Sequence, residues 1–304
     1  MRKRIALNQK LQIQFPNSIS VTIKREDLIH SVVSGNKFRK LKYNLLQAKT
    51  ENKKSLLTFG GAFSNHIAAV AFAARENGFQ SIGIIRGDEL RDKIAGNPTL
   101  KFAQECGMQF EFVSREAYRL KTEDTFLADL KSKFGDFFLI PEGGTNAYAI
   151  KGCEEILTSE DKEFDYICCA VGTGGTISGI INSALRHQKV LGFPALKGDF
   201  LKDEIRIFVQ NENWDLITEY HFGGYGKVNT DLVQFINQFY HENQIPLDPV
   251  YTGKMVFGVI DLIQNNYFPA QSNILLIHTG GLQGIQGMNA ELKKKQLPTI
   301  AIHV

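Results

Sequence analysis

The sequence predicts an α/β protein of two domains, each built on an open, twisted parallel sheet with helices on both faces. Strand and helix patterns alternate along the chain, and several strands, such as Tyr166–Val171, are apolar throughout. Strands of this kind are typical of parallel sheets that helices cover on both sides. The chain has 304 residues. At about 100–200 residues per domain, two domains are expected.

Short apolar runs predict the strands, and helical spacing of apolar residues predicts the helices. Extended segments come first, at residues 5–7, 11–15 and 19–23. The strands predicted after them are Ser55–Phe59, Ser81–Ile85, Gln109–Val113, Phe137–Ile140, Tyr166–Val171, Val190–Phe193 and Ile274–Ile277. The predicted helices are one that begins near Lys37, then Ile67–Glu76, Leu100–Gly107, Thr125–Phe134, 147–158, 177–187, Val228–Tyr240 and 253–264. Residues 198–226 are predicted to be mostly loop.

The strand–helix units in the first half of the chain form a group of their own. About four of them lie between residues 50 and 147, which is enough for a separate sheet. We therefore predict that residues 50–147 are a smaller, inserted α/β domain. The larger domain then combines residues 1–49 and 148–304.

Composition argues against several classes of function. The 35 basic and 32 acidic residues leave a net charge of +3, and the basic run Lys293–Lys295 is typical of a solvated helix end, so no nucleic-acid partner is expected. The four cysteines form no CxxC pair, which argues against disulfides or a metal site. The N-terminus lacks a signal-peptide pattern, and no apolar run approaches the ~18 residues of a membrane span. We expect a cytoplasmic protein without membrane partners.

A basic motif, Ser34–Leu41, opens the first predicted helix. Phe38, Leu41 and Leu45 share one helical face, which places Lys37 near the first turn. The positive end of a helix favours loss of a lysine proton, and a neutral amine can form a Schiff base with a carbonyl. The residues alone leave a second interpretation open, a solvated lysine at a loop–helix junction.

Three predicted strands end in glycine-rich turns, at Gly60-Gly61, Gly172–Gly175 and Gly280-Gly281. Ligands of open α/β sheets bind beyond the carboxyl ends of the strands, so the three turns point to one crevice.

The turn Gly172-Thr173-Gly174-Gly175-Thr176 suits a phosphate group. Glycines allow backbone N–H groups to approach an anion, and the following helix adds its positive end. Ile177 stands where the last glycine of a dinucleotide fingerprint would be, and the Lys-Ser/Thr of a P-loop is absent, so one monophosphate is expected. The alternative is a tight strand–helix turn without a ligand.

Other polar residues have two interpretations each. Ser64 or Asn65 can cap the next helix, or both can donate hydrogen bonds to a carboxylate or phenolate. His66 is interpreted as a packed histidine rather than a base. Tyr225 and Tyr251 lie in glycine-containing loops, where either a pocket role or surface packing is open.

A Schiff-base lysine, a monophosphate turn and a serine–asparagine turn together indicate pyridoxal 5′-phosphate. In this order the motifs resemble those of the 1-aminocyclopropane-1-carboxylate deaminase / D-cysteine desulfhydrase family. That family has the tryptophan synthase β-like fold, fold type II of the pyridoxal-phosphate enzymes. The resemblance covers nearly the whole chain, through Lys24-Arg25-Glu26-Asp27, Ser34–Lys40, Ser64-Asn65-His66, Asp248–Lys254 and His278-Thr279-Gly280-Gly281.

The resemblance implies which residues hold the cofactor, and it assigns the larger domain to cofactor binding. Lys37 would carry pyridoxal phosphate as a Schiff base and move the protons of the substrate. Asn65 would contact the ring hydroxyl of the cofactor, and Gly172–Thr176 would bind its phosphate. Thr279 would face the pyridine nitrogen.

On the substrate side, the resemblance implies that Ser64 meets the carboxylate of a small amino acid or acts as a nucleophile in ring opening. Tyr225 and Tyr251 would line the same side. Members of the family are usually homodimers. This chain departs from the family in having Phe63 where a glutamine is common, and Ile67 and Ala68 where an arginine is often found.

Two threonines favour one branch of the family. Members similar to the cyclopropane deaminases have a glutamate after the second tyrosine and an apolar residue in the last His-x-Gly-Gly motif. Here Thr252 and Thr279 occupy these places, as in desulfhydrase-like members. A carboxylate near the pyridine nitrogen would deepen the electron sink, and a threonine cannot supply that charge. The weaker sink suits elimination of a good leaving group better than cleavage of an unactivated ring.

The resemblance thus predicts a lyase that eliminates a β-substituent from a small amino acid, most simply D-cysteine, giving pyruvate, ammonia and hydrogen sulfide. One alternative is 1-aminocyclopropane-1-carboxylate deaminase, whose products are 2-oxobutanoate and ammonia. The other is a non-catalytic protein that binds the cofactor or an amino acid, an alternative that rests on Phe63.

Overall fold

The computed structural model of the chain describes residues 5–198 and 200–302. Within these ranges, ten strands and eleven α-helices are connected by loops and short 3-10 turns. The strands are β1 (Asn8–Lys10), β2 (Ser20–Lys24), β3 (Ser55–Gly60), β4 (Gln80–Arg86), β5 (Met108–Val113), β6 (Phe138–Ile140), β7 (Tyr166–Val171), β8 (Lys189–Pro194), β9 (Trp214–Leu216) and β10 (Asn273–Ile277). The helices are α1 (Asn36–Thr50), α2 (Asn65–Asn77), α3 (Pro98–Glu105), α4 (Arg115–Arg119), α5 (Asp124–Phe134), α6 (Ala147–Cys153), α7 (Gly175–Ser183), α8 (Leu201–Arg206), α9 (Thr230–Asn243), α10 (Thr252–Gln264) and α11 (Gly284–Lys294).

The strands form two sheets. The larger has the order β1-β2-β10-β7-β8-β9, and every pair in it is parallel except the edge pair β1–β2. The smaller has the order β5-β4-β3-β6 and is parallel throughout. The predicted α/β architecture of parallel sheets and helices is confirmed.

Burial explains why the central strands are apolar on both faces. Along β10, Ile274 and Leu276 pack into one hydrophobic core, and Leu275 and Ile277 pack into another on the opposite face. Residues that alternate along a strand point to opposite faces of its sheet, so a sheet covered on both sides needs apolar residues at every position. The two cores account for the uninterrupted apolar runs of the sequence.

The two sheets fall in separate parts of the sequence. The smaller sheet spans residues 55–140, and the larger is assembled from residues 8–24 and 166–277. Helix α1 packs its apolar face, which includes Leu41 and Leu45, into a core of the smaller sheet. From the separate ranges of the two sheets we propose that the chain divides at the predicted boundaries, 1–49 with 148–304 and 50–147. Helix α1 then belongs to the larger domain by sequence and packs against the smaller one.

Several elements differ from the predictions. Strand β1 lies at Asn8–Lys10, between the extended segments predicted on either side of it. Strand β9 and helix α8 occur in the region predicted as loop, and helices α4 and α11 were not predicted. Strands β1 and β9 and helices α4 and α8 are short, so their apolar pattern is brief; β9, for example, pairs through three residues only. Of α11, with eleven residues, the sequence indicated only the basic end at Lys293–Lys295. The predicted helices 147–158 and 177–187 end earlier, at Cys153 and Ser183.

Within residues 5–198 and 200–302, none of the helices has the length and apolar character that crossing a membrane requires. The four cysteines are free and buried. The first four residues, part of the N-terminal segment considered above, lie outside the described ranges.

Candidate active site

A cleft of about 490 Å³ opens at the carboxyl ends of strands from both sheets. The turns that follow β3, β7 and β10 all contribute to its wall, as the three glycine turns predicted. The predicted site residues that line it are Lys37, Ser64, Asn65, Gly172, Thr173, Gly174, Thr176, Tyr225, Tyr251 and Thr279. Gly175 does not line it; a Cβ built there would meet the side chains of Thr145 and Lys40.

Asn36 joins the lysine motif to the glycine turn. Its amide nitrogen donates to Thr176 Oγ1 at 2.8 Å, and its Oδ1 accepts a hydrogen bond from Lys37 Nζ at 3.1 Å. One side chain thus connects two motifs that lie 140 residues apart in sequence. Lys37 therefore faces the cleft and the glycine turn rather than bulk water.

Gly35 allows the lysine motif to lie directly on the last glycine turn. Its φ of +59° belongs to the left-handed region, which favours glycine. A Cβ built on Gly35 would fall 2.0 Å from the carbonyl oxygen of Thr279, so any larger residue would push the two segments apart. The same carbonyl accepts a hydrogen bond from Asn36 N at 3.3 Å.

Loss of hydration in the cleft, with the nearby Lys40 ammonium as the second cause, lowers the pKa of Lys37 to about 7. From the sequence, a lowered pKa of Lys37 was expected to come from the positive end of a helix. The structure places it in burial and in a second lysine one helical turn away. Lys40 itself is buried and donates to Gly143 O at 2.9 Å and to Thr145 Oγ1 at 3.2 Å. A large fraction of Lys37 is therefore an uncharged, nucleophilic amine at neutral pH.

The turn after β7 presents unpaired backbone donors. Gly174, with a φ of +80°, is the N-cap of α7, and no side chain caps this helix. The first amides of a helix have no intrahelical acceptors, and the helix end is partially positive. Thr173 Oγ1 and Thr145 Oγ1 lie 2.6 Å apart and share a hydrogen bond. The turn can bind an anionic group through its amides.

The turn after β3 caps helix α2 and also presents polar groups to the cleft. Ser64 is the N-cap of α2, where its Oγ accepts from Ile67 N at 3.4 Å. Asn65 donates through Nδ2 to Gly281 O at 3.4 Å, and its buried Oδ1 has no hydrogen-bond partner among the described residues. A buried amide oxygen without a partner indicates a missing donor, which a ligand can supply.

His66 is a packed, neutral histidine. Thr58 Oγ1 donates to Ile140 O at 2.8 Å, so it accepts from His66 Nε2, also at 2.8 Å. Burial, followed by the charges of Lys37 and Lys40, holds the pKa of His66 well below its usual range. The ring therefore keeps its proton on Nε2, and the low pKa makes its Nδ1, which has no hydrogen-bond partner among the described residues, only a weak base.

Tyr225 and Tyr251 form an aromatic pair at the cleft, with ring centroids 6.1 Å apart and edge-to-face geometry. Tyr251 also lies against the backbone of Gly172. Burial, then the neighbouring Tyr225, raises the pKa of Tyr251 well above its ordinary value. Tyr251 is thus held as a phenol, a hydrogen-bond and proton donor.

The segment Asp248–Lys254 supports this pair. The Asp248 carboxylate accepts hydrogen bonds from the backbone N–H groups of Val250, Tyr251 and Thr252, at 2.8 to 2.9 Å. Thr252 Oγ1 also donates to it at 2.7 Å, so Thr252 is fully buried and does not line the cleft.

Lys254 holds the loop that carries Tyr225. Its ammonium donates to His221 O at 2.8 Å and to Gly224 O at 2.9 Å. Lys254 itself is buried.

The remaining charged residues of the motifs form buried ion pairs. Arg39 binds Glu26 through two hydrogen bonds of 2.6 and 2.8 Å, and Lys24 binds Asp161 at 2.7 Å. The first pair fixes the loop before α1, and the second joins the end of β2 to the turn at Ser159–Asp161. Removing one partner of either pair would leave a buried charge uncompensated. They are structural and do not line the cleft.

The residues of the cleft fit pyridoxal phosphate. Lys37 offers an amine of lowered pKa to its aldehyde, the uncapped start of α7 offers amides to its phosphate, and Asn65 offers a buried polar atom without a partner. Thr279, on the turn after β10, adds a hydroxyl-bearing residue to the cleft wall.

Comparison with known proteins agrees with this chemistry. The family of pyridoxal-phosphate dependent enzymes matches residues 8–280. A putative 1-aminocyclopropane-1-carboxylate deaminase of Thermotoga maritima is 30% identical over 295 residues, covering 90% of this chain and 92% of the relative. The bifunctional mitochondrial D-cysteine desulfhydrase/1-aminocyclopropane-1-carboxylate deaminase of Arabidopsis thaliana is 29% identical, covering 89% of this chain and 74% of its own length.

A solved structure of a homologue of 1-aminocyclopropane-1-carboxylate deaminase superposes with a TM-score of 0.79 and 27% identity, over 96% of this chain and 94% of that one. The chain therefore belongs to the family of pyridoxal-phosphate dependent enzymes, and its cofactor is pyridoxal phosphate. Within that family it is similar to proteins named for the cyclopropane deaminase and the D-cysteine desulfhydrase, as the motif order predicted.

Five residues shape the site although no role was predicted for them from the sequence: Asn36, Lys40, Arg86, Asp248 and Lys254. Four of them lie inside motifs that were recognised as sequence patterns. Their roles are contacts with distant segments, which spacing along the chain does not reveal. Arg86 follows the mostly apolar residues 82–85 at the end of β4, and this step from apolar to charged is the only feature of the sequence that points to it.

We predict that Lys37 reacts as an amine with a pKa of about 7. After removal of the cofactor, a reagent that reacts with amines should modify Lys37 at half its maximal rate near pH 7, because only the free base reacts. Replacing Lys40 by Gln should move the half-point upward, since a nearby positive charge is lost. Peptide mass spectrometry across a pH series measures both, and a half-point near the ordinary lysine pKa of about 10.4 would contradict the prediction.

We predict that Lys254→Met loosens the Tyr225 loop. The change leaves the carbonyls of His221 and Gly224 without their donors, at a cost of about 1–3 kcal/mol each. Amide hydrogen exchange over the loop should then be about ten- to a hundredfold faster. The matched control is Lys227→Met, an exposed lysine of the same loop, which should leave exchange unchanged. Equal exchange in the two variants would show that Lys254 does not hold the loop.

Proposed function

We propose that the protein deaminates a small amino acid by β-elimination, with D-cysteine as the simplest substrate. The observation that supports it most is an acid–base pair with opposite pKa shifts in one cleft. The pKa of Lys37 is lowered to about 7, whereas that of Tyr251 is raised. Groups whose environments shift their pKa values apart are suited to act as base and acid in the same reaction.

Lys37 is proposed to take the proton from Cα of the substrate. Its amine is partly unprotonated at neutral pH, and Asn36 orients it through the hydrogen bond to Nζ. Bound pyridoxal phosphate supplies the electron sink for the charge that this step leaves at Cα.

Tyr251 is proposed to donate a proton to the departing sulfur. As a phenol of raised pKa it keeps its proton until the leaving group develops negative charge, and Tyr225 packs against it edge to face. Ser64 and the first amides of α2 are proposed to contact the substrate carboxylate.

The proposed reaction is balanced. The Cα–H and Cβ–S bonds of D-cysteine break, hydrogen sulfide leaves, and water converts the unsaturated amine that remains into pyruvate and ammonia. One water is consumed per substrate, and no oxidant or reductant is needed. Thr279 supports this choice, because it lines the cleft with a hydroxyl, as in desulfhydrase-like members, where members similar to the cyclopropane deaminases have an apolar residue. The thiolate of D-cysteine is also a good leaving group.

Deamination of 1-aminocyclopropane-1-carboxylate is the second candidate. Its support is the name of the Thermotoga maritima relative and the double name of the Arabidopsis thaliana relative. Of the two threonines that count against this candidate, Thr252 is bonded to Asp248 away from the cleft, and only Thr279 lines it. A non-catalytic binding protein is the third candidate; Phe63, half exposed at the cleft wall, is its basis.

The homodimer and the cytoplasmic location stay predictions from the resemblance and the sequence. The small amino-acid substrate is part of the proposal, and its support is a cleft whose size and polar groups suit pyridoxal phosphate with one small amino acid.

Purified holoenzyme assayed with D-cysteine, L-cysteine and 1-aminocyclopropane-1-carboxylate tests the proposal. We predict pyruvate and sulfide from D-cysteine and less 2-oxobutanoate from the cyclopropane. Lys37→Ala should abolish product and the visible absorption of lysine-bound cofactor, and Tyr251→Phe should lower kcat by about 10²- to 10⁴-fold while that absorption remains.

Tyr148→Phe, at a tyrosine outside the cleft wall, is the control and should keep full activity. Activity retained by Lys37→Ala would refute the mechanism. A larger rate of 2-oxobutanoate formation would favour the second candidate, and cofactor binding without turnover of any amino acid would favour the third.

A further inference from the structure

One cation of the cleft has no role in the proposed reaction. Arg86 is the last residue of β4, and its exposed side chain lines the cleft. Among the residues that the structure describes, it forms no ion pair with a carboxylate. Glu142 lines the same cleft but pairs with Lys121 at 3.4 Å. A guanidinium without an acidic partner at the wall of a ligand cleft is suited to bind an anion.

Sheet register places Arg86 at the serine–asparagine turn. Strands β3 and β4 are parallel, with Gly60 opposite Ile85, so the next residue of β4 lies beside Gly61. The Arg86 Nη2 atom lies 3.6 Å from the position that a Cβ on Gly61 would occupy. The Gly61 turn is closed by a hydrogen bond from Ser64 N to Gly61 O at 3.1 Å, so the guanidinium lies next to the turn that ends at Ser64.

An aromatic ring holds the guanidinium in place. The Arg86 guanidinium carbon lies 5.7 Å from the ring centroid of Tyr118, a side chain that is 3% exposed. A buried ring has a fixed position, and a cation over its face is attracted by the ring quadrupole. The guanidinium is therefore oriented before any ligand arrives, which reduces the entropy lost on binding.

The turn beside Arg86 offers donors but no full positive charge. The first amides of α2 have no intrahelical acceptors, and Ser64 Oγ uses its lone pair on Ile67 N, which leaves its hydrogen to donate. Ile67 and Ala68, in the first turn of α2, are apolar and buried. Arg86 thus complements these neutral donors with a cation of planar, two-pronged geometry that matches a carboxylate.

We propose that Arg86 binds the carboxylate of the substrate through two N–H groups and so selects amino acids over amines that lack a carboxylate. The inference rests on the proposed function only in that the substrate is an amino acid. It does not depend on which β-substituent is eliminated. Arg86 is a binding and specificity residue, and it takes no part in proton transfer.

The test is a titration of holoenzyme, followed by the change in the visible absorption of the cofactor. The carboxylate ligands are D-alanine, L-alanine and 1-aminocyclopropane-1-carboxylate, and ethylamine is the matched ligand without a carboxylate. Arg86→Gln should weaken binding of the carboxylate ligands about ten- to a hundredfold, the usual value of a hydrogen bond to a charged group. Its affinity for ethylamine should stay within about twofold, since that ligand makes no use of the guanidinium.

Two further variants sharpen the test. Arg86→Lys should bind the carboxylate ligands with intermediate affinity, because an ammonium keeps the charge but loses the paired geometry. Arg91→Gln is the control: its guanidinium likewise lies over an aromatic ring, 5.9 Å from the centroid of Phe112, but it does not line the cleft. It should bind every ligand as the unchanged protein does.

The inference is overturned if Arg86→Gln binds the carboxylate ligands as tightly as the unchanged protein, if it loses affinity for ethylamine equally, or if none of the three carboxylate ligands binds at all. A failure of the proposed function is a separate result. In that case D-cysteine yields no pyruvate, while the titration still shows a carboxylate-specific loss in Arg86→Gln.

Discussion

The site depends on the contact that Asn36 makes between Lys37 and Thr176. The two hydrogen bonds, of 3.1 and 2.8 Å, join the start of α1 to the start of α7. Through them an amine and an uncapped helix end face the same cleft. The glycine at position 35 makes the arrangement possible, because no larger residue could lie against the Thr279 carbonyl.

Electrostatics in this cleft follow from the burial of two neighbouring lysines. Lys37 and Lys40 are one helical turn apart, and Lys40 donates to a carbonyl and a hydroxyl instead of a carboxylate. Burial lowers the pKa of Lys37 and the Lys40 ammonium lowers it further, so the amine that faces the cleft is partly free base. The pKa of Tyr251 shifts in the opposite direction because burial, followed by the neighbouring Tyr225 and the charge of Asp248, disfavours a phenolate. The same cleft thus holds a base and an acid near neutral pH.

Much of the fold and part of the site could be predicted from the sequence. The strands Ser55–Gly60 and Tyr166–Val171 were evident because buried parallel strands need apolar residues on both faces. The glycine turns could also be predicted, because each directly follows the carboxyl end of a predicted strand. Short edge elements such as β9 were not, because three residues carry too little periodicity. The position of β1 was wrong by a few residues, since polar residues such as Asn8 and Lys10 pair there at the sheet edge.

Contacts between segments that lie far apart in the chain could not be predicted from the sequence. The role of Asn36 depends on Thr176, that of Lys254 on the carbonyl of Gly224, and that of Arg86 on the register between β3 and β4. The family resemblance likewise did not show that Thr252, compared there with a glutamate of the cyclopropane deaminases, is bonded through its hydroxyl to Asp248. Residue type alone does not show which way a side chain of a tight turn is bonded.

The central claim is that Lys37 carries the cofactor, and reduction of the holoenzyme with borohydride tests it most directly. The reagent fixes a Schiff base as a stable secondary amine, and peptide mass spectrometry then locates the phosphopyridoxyl group. We predict that the group is found on Lys37. Its recovery on Lys40 or on any other lysine, or a protein that remains unlabelled while it holds the cofactor, would contradict the account.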